Sequence, residues 1–107
     1  MDNILLTLEE ILEQRKSASV EDSYVASLYD KGTDQILKKI GEESAEVIMA
    51  AKSDGNDKII CEVADLWFHV LVLLRYKNIS VSDIETELAR RFGISGLEEK
   101  RNRTKKP

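Results

Sequence analysis

Lys58-Ile59-Ile60-Cys61-Glu62-Val63-Ala64-Asp65-Leu66-Trp67-Phe68-His69-Val70-Leu71-Val72-Leu73-Leu74-Arg75-Tyr76 is the stretch that decides the fold. It contains neither Gly nor Pro, and its apolar residues surround most of a helical circumference instead of alternating. Such a helix must lie centrally, because only neighbouring elements can cover it. Two acids interrupt the apolar run, Glu62 and Asp65, and their spacing of three puts them on one face. Ionised carboxylates in apolar surroundings cost on the order of several kcal/mol each unless a cation, a donor or a proton accompanies them.

Upstream, Ser53-Asp54-Gly55-Asn56-Asp57 is a turn-forming cluster. Before it, residues 34 to 52 place Ile36, Leu37, Ile40, Val47, Ile48 and Ala51 in one arc of a second helix. Farther back, Ile4, Leu5, Leu8, Ile11 and Leu12 recur at helical spacing behind Asp2 and Asn3, which can cap them, and the pattern fades at Lys16-Ser17. Residues 17 to 33 read as a connecting loop, with a short helical turn suggested by Tyr24, Val25, Leu28 and Tyr29 and a close at Gly32. Downstream, Ser80 with Asp83 resembles a capping box that opens a helix through Ile84, Leu88 and Phe92, with Gly93 suited to end it.

No strand pattern or internal repeat competes. The expectation is an all-α bundle of four to five helices, a single domain over residues 1–107, with residues 94–107 a basic and mobile tail. A chain this short buries a modest share of its surface, so the apolar central helix predicts a core completed by dimerisation, as a homodimer or larger homo-oligomer.

Composition narrows the function. A net charge of −4 argues against general nucleic-acid affinity, although positive charge gathers near the C-terminus. The start of the chain carries Asp2, Glu9 and Glu10, which fits neither a signal peptide nor a membrane span. The single Cys61 cannot form an internal disulfide and is expected to pack as a small hydrophobe, pointing to a reducing cytoplasm.

The acids carry the chemistry. On the second helix Glu42, Glu43 and Glu46 fall within about a 100° arc beside the apolar one. Antiparallel packing across the turn would bring them against Glu62 and Asp65, five carboxylates around one gap. Hard oxygen donors without paired histidines or cysteines select Mg²⁺ or Mn²⁺ over zinc. The plain alternatives are a solvated acidic face for Glu42, Glu43 and Glu46, and salt bridges from Glu62 and Asp65 to Lys38, Lys39 or Arg75. For His69 the simpler role is a core histidine satisfied by a neighbour, and for Trp67 and Phe68 it is core or dimer packing. Lys39, one turn before Glu42 and Glu43, and the adjacent Lys38 could reach a phosphate.

Glu42-Glu43-x-x-Glu46 followed after fifteen residues by Glu62-x-x-Asp65 resembles the signature of the all-alpha nucleotide pyrophosphohydrolases, the MazG-like superfamily. The stretches 23–28, 38–47, 62–69, 87–93 and 95–100 together resemble the phosphoribosyl-ATP pyrophosphohydrolase family over nearly the whole chain. Ser44 and Val25 stand where that family leads one to expect Ala and Thr, and neither change removes a carboxylate. The resemblance implies hydrolysis of phosphoribosyl-ATP to phosphoribosyl-AMP and pyrophosphate, the second step of histidine biosynthesis, with Mg²⁺ required.

By position, Glu43, Glu46, Glu62 and Asp65 are the expected metal ligands, and Glu42 is a further ligand or the base that takes a proton from the attacking water. Substrate phosphates would be met by Lys38, Lys39, Arg91, Lys100 and Arg101, since the extra ribose phosphate needs a cation that the acid cluster cannot supply. Alternatives are a house-cleaning nucleoside triphosphate pyrophosphohydrolase and a non-catalytic helical dimerisation module. A di-iron bundle fits poorly, because it wants Glu-x-x-His and this chain offers Asp65-x-x-x-His69.

Overall fold

The computed structural model describes residues 3–53, 55–92 and 101. Among them, α1 (Ile4–Gln14) runs into a 3₁₀ turn (Arg15–Ser17), followed by α2 (Tyr24–Lys31), α3 (Thr33–Ser53), α4 (Asn56–Tyr76) and α5 (Val81–Arg90). No strand occurs among the described residues, so the all-α bundle is as the sequence predicts. None of these helices is long and apolar enough to cross a membrane.

Helix ends follow local chemistry. Asn3 caps α1, its Oδ1 accepting from the backbone N–H of Leu5 at 3.0 Å. The capping box at α5 is complete, with Ser80 Oγ accepting from Asp83 N and Asp83 Oδ2 from Ser80 N. Beyond α4, Asn78 adopts φ 61°, and the N–H groups of Asn78 and Ile79 bond back to the carbonyls of Arg75 and Leu74. That is a Schellman close with asparagine in the left-handed position.

The main difference from expectation lies between residues 17 and 33, where the short helical turn proves to be α2, an eight-residue helix. Ser23 Oγ caps it through Ala26 N at 3.1 Å, and Gly32, at φ 90°, turns the chain sharply into α3. The polar stretch that precedes it, residues 17–23, and its shortness hid this helix, whose stability comes from packing. Val25, Ala26 and Leu28 are buried, and Tyr29 donates its hydroxyl to the Leu12 carbonyl at 3.0 Å. Gly93, read as the cap of α5, lies outside the described residues; so does the 94–107 tail except Arg101, which is exposed and helical.

Every helix contributes to one core: Leu12 from α1, Val25 and Leu28 from α2, Ile36 from α3, Leu71 and Val72 from α4, and Val81 from α5. This cluster joins the N-terminal half of α3 to the C-terminal half of α4. The two long helices pack mainly on each other as an antiparallel hairpin, and its far end extends past the cover of α1, α2 and α5. There Ile48, Met49 and Ile60 are more than half exposed. The expected apolar arc of α3 is therefore only partly buried, with Ile36 inside and Leu37, Ile48 and Ala51 outside, while Ala50, beside the arc, is buried.

Candidate active site

On α4 the two acids differ in burial: Glu62 is buried and Asp65 exposed. Their carboxylate oxygens lie within 4.8 Å of each other and of Cys61 Sγ. Cys61 is exposed, contrary to its expected packing as a small hydrophobe, because at 100° per residue it lies on the flank of the acid face. Position within an apolar run did not determine its side.

Lys58, one turn earlier, places Nζ 3.4 Å from Glu62 Oε1. Hydrogen bonding and attraction to Glu62 hold the Lys58 ammonium above its ordinary pKa, and Glu46 adds to the effect. The salt-bridge partners named as the alternative do not take this role. Arg75 instead pairs with Glu13 at 3.3 Å and donates to the Ile79 carbonyl, and Lys39 pairs along its own helix with Glu42 at 3.4 Å and Glu43 at 4.0 Å. Lys38 is exposed. Lys58 was legible as an i,i+4 partner of Glu62, and that spacing was the signal missed.

Glu42 and Glu46 are exposed on α3 while Glu43 is largely covered. None of the three joins the tight group formed by Glu62 and Asp65. The two acid faces are nevertheless electrically linked. Lys58 responds to Glu62 and Glu46, and the Tyr24 phenol to Glu43, Glu42 and Asp65. Burial pushes the Tyr24 phenol above its ordinary pKa; Lys39 opposes this and the three acids reinforce it. Lys39 is raised in turn, chiefly by Tyr24 and then by its hydrogen bond to Glu42. Between Lys38 and Glu42, Gly41 has open space where a side chain would stand.

His69 is buried and fully engaged, as the simpler role anticipated. Nδ1 lies 2.8 Å from the Asp65 carbonyl and Nε2 2.8 Å from the Tyr24 hydroxyl. Tyr24 was read only as part of a short turn, and no local pattern could pair it with a histidine forty-five positions away. Of the expected phosphate contacts, Arg91 is tied to Glu87 at 3.0 Å. Arg101 is exposed, and Lys100 falls outside the described residues.

The donor set fits a hard divalent cation, with carboxylate oxygens predominating, two of them within 4.8 Å on α4 and more on the facing helix. Cys61 is the one soft atom in the group. The fold and these acids define a class: an all-α bundle with a carboxylate-lined helical hairpin.

The family model described as phosphoribosyl-ATP pyrophosphohydrolase matches residues 5–92. The chain is 71% identical over 103 residues to a phosphoribosyl-ATP pyrophosphatase of Vesicomyosocius okutanii, covering 96% of this chain and 98% of that one. It is 56% identical to the protein of that name from Hydrogenovibrio crunogenus, covering 97% and 96% of the two chains. It is 48% identical to that from Neisseria meningitidis, covering 96% of each. The chain belongs to the phosphoribosyl-ATP pyrophosphohydrolase family.

Proposed function

We propose that this chain hydrolyses phosphoribosyl-ATP to phosphoribosyl-AMP and pyrophosphate, the second step of L-histidine biosynthesis, with Mg²⁺ or Mn²⁺ as cofactor and in the cytoplasm. The observation that carries this is the pairing of Glu62 and Asp65 within 4.8 Å, across from the acids of α3, in a chain of that family. Glu43, Glu46, Glu62 and Asp65 would hold the cation. Bound there, it would neutralise polyphosphate oxygens and lower the pKa of a water, so that the water could lose its proton and attack phosphorus as hydroxide.

The protein's own groups do the rest. Glu42, exposed at the rim, holds the cation further or accepts the proton that the attacking water sheds. Lys39, with Lys38 beside it, meets phosphate oxygens and is already placed against Glu42 and Glu43. Arg91, Lys100 and Arg101 are the proposed reserve for the second ribose phosphate, and Arg91 would have to exchange Glu87 for it. The residues 1–107 act as a single domain.

A homodimer completes the molecule. Leu5, Leu66, Trp67, Val70, Leu74 and Leu88 line an almost wholly apolar cleft of about 460 Å³ along α4 and α5. Trp67 and Leu88 are 55% and 52% exposed beside it, a surface that a second copy would cover.

Pyrophosphate release measured on phosphoribosyl-ATP, ATP and dUTP, before and after EDTA and Mg²⁺ restoration, tests the assignment. The expected result is turnover of phosphoribosyl-ATP well above the other two, abolished by EDTA and restored by Mg²⁺. Preference for ATP or dUTP would instead identify a house-cleaning pyrophosphohydrolase. Absence of any turnover would leave only a dimerisation module.

A further inference from the structure

The polar pair that the carboxylate chemistry leaves unused is Tyr24 with His69. A carbonyl oxygen only accepts, so the His69 Nδ1 that lies 2.8 Å from the Asp65 carbonyl carries a hydrogen. In the neutral ring Nε2 is then a bare lone pair, and the hydrogen bond of 2.8 Å across to Tyr24 is donated by the phenol. His69 is 6% exposed and is further held edge-on by Phe68, ring centroids 5.3 Å apart. Its position is fixed by α4, and it fixes Tyr24 in turn.

Two consequences follow for Tyr24. With its hydrogen committed to His69, the phenol oxygen offers only lone pairs to anything approaching from solvent. It would repel phosphate oxygens and accept from a hydroxyl or an amine. The ring is also 51% exposed and stands between two environments. On one side lie Lys39, Glu43, Glu42 and Asp65, which act on its phenol. On the other it lines a cleft of about 470 Å³ in which Leu8, Ile11 and Phe68 form an apolar wall and Arg15, Asp22 and Ser23 a polar edge, a mixture that suits the flat base and the hydroxyls of a nucleoside.

We propose that Tyr24 contacts the nucleoside portion of the substrate, dividing a polyphosphate side over the carboxylates from a nucleoside side in the Leu8–Phe68 cleft, and that His69 is the positioning residue that holds it there. This rests on the nucleotide reading above and adds the residue that sets which end of the substrate lies where.

The test uses the full chain with Tyr24→Phe, His69→Asn and His69→Gln, comparing KM and kcat for phosphoribosyl-ATP and the dissociation constants of AMP and pyrophosphate by calorimetry. Asparagine can replace only the Nδ1 donor, whereas glutamine places an acceptor where Nε2 was. Tyr24→Phe and His69→Asn should each raise KM and the AMP constant about 3- to 10-fold, the size of one lost hydrogen bond, leaving pyrophosphate affinity unmoved. The double variant should be no worse than either single one, and His69→Gln should recover most of the loss.

Equal weakening of AMP and pyrophosphate, or an AMP constant unmoved by Tyr24→Phe, overturns the proposal. So does a glutamine variant no better than asparagine while melting temperatures match. Should His69→Asn fail to fold, Tyr24→Phe, which keeps the ring, decides alone. A parent protein that binds AMP and pyrophosphate without hydrolysing phosphoribosyl-ATP refutes the proposed reaction, and the AMP constants still judge Tyr24.

Discussion

One side of α4 withdraws Glu62 and His69 from water to 6% exposure, while the other leaves Ile60 at 66% and Trp67 at 55%. At 100° per residue Glu62, Asp65 and His69 fall within about 60° of one another, and Ile60, Val63, Trp67, Val70 and Leu74 occupy an arc of about 80° almost opposite. Polarity alone would predict the reverse burial. The inner face is covered at Glu62 and His69, where α3 and Tyr24 of α2 pack on it, and open at Asp65. Among the described residues the cation paired with its acids is Lys58, on Glu62, while Lys39 across on α3 pairs with Glu42. The outer face has the right chemistry for burial and too little protein over it. Each face is incomplete in its own way: one is short of positive charge, the other of cover.

Substitutions that keep shape and remove charge should break the comparison most severely on the inner face. Asp65→Asn and Glu46→Gln are each expected to lower turnover by about 10³-fold or more, while circular dichroism and melting temperature hold or rise as repulsion is relieved. Near-normal rates in a steady-state assay would move the chemistry away from this face.

On the outer face the expected change is in assembly. Trp67→Glu places a charge in the lining of the α4–α5 cleft and should shift the proposed dimer toward a 12.1 kDa monomer, weakening self-association about 100-fold or more. Sedimentation at micromolar concentration reads this directly. A parent that already sediments as a monomer would mean that the cleft is covered by something other than a second copy.

The smallest effect sharpens the charge argument with an acid the protein fully satisfies. Glu87 is held by Arg90 at 2.7 Å and Arg91 at 3.0 Å, and these guanidinium forks keep its carboxyl down at about 2, from an ordinary 4.5. Its folded-state value is lowered, so its stabilisation is present above pH 4.5 and fades as pH falls toward 2. Glu87→Gln should therefore flatten a slight part of the acid side of the stability curve and leave neutral pH nearly unchanged, since the pair is exposed. Thermal melts between pH 2 and 7 check this.

Much of this architecture could be read in advance where periodicity was long. The α3 and α4 helices lie within two residues of their expected bounds, and the Ser80–Asp83 box is where local chemistry placed it. The acids were legible because Glu42, Glu43, Glu46, Glu62 and Asp65 are unusual choices beside an apolar run. What escaped were properties set by partners distant in sequence. Helix α2 is short and stabilised by packing on α3 and by burial in the core it shares with α1 and α4; Cys61 turned outward because its flank of α4 is uncovered; and Tyr24 meets His69 only through the tertiary fold. Asp65, expected inside, is exposed for the same reason as Cys61.

Gly41 shows a compromise between durability and use. A glycine inside a helix forgoes about 1 kcal/mol relative to alanine, and here nothing stands within 4 Å of where the methyl group would be. The isolated subunit therefore has no steric reason for its absence. Leu37 and Ile48 flank it on the outer side of α3, 47% and 61% exposed. A screen that rewarded heat resistance alone would select Gly41→Ala, and chemical denaturation should show it gaining about 0.5–1 kcal/mol. If the variant gains that much yet turns over substrate more slowly, the missing methyl group marks room kept free for another molecule, and the chain has given up ruggedness to keep that room.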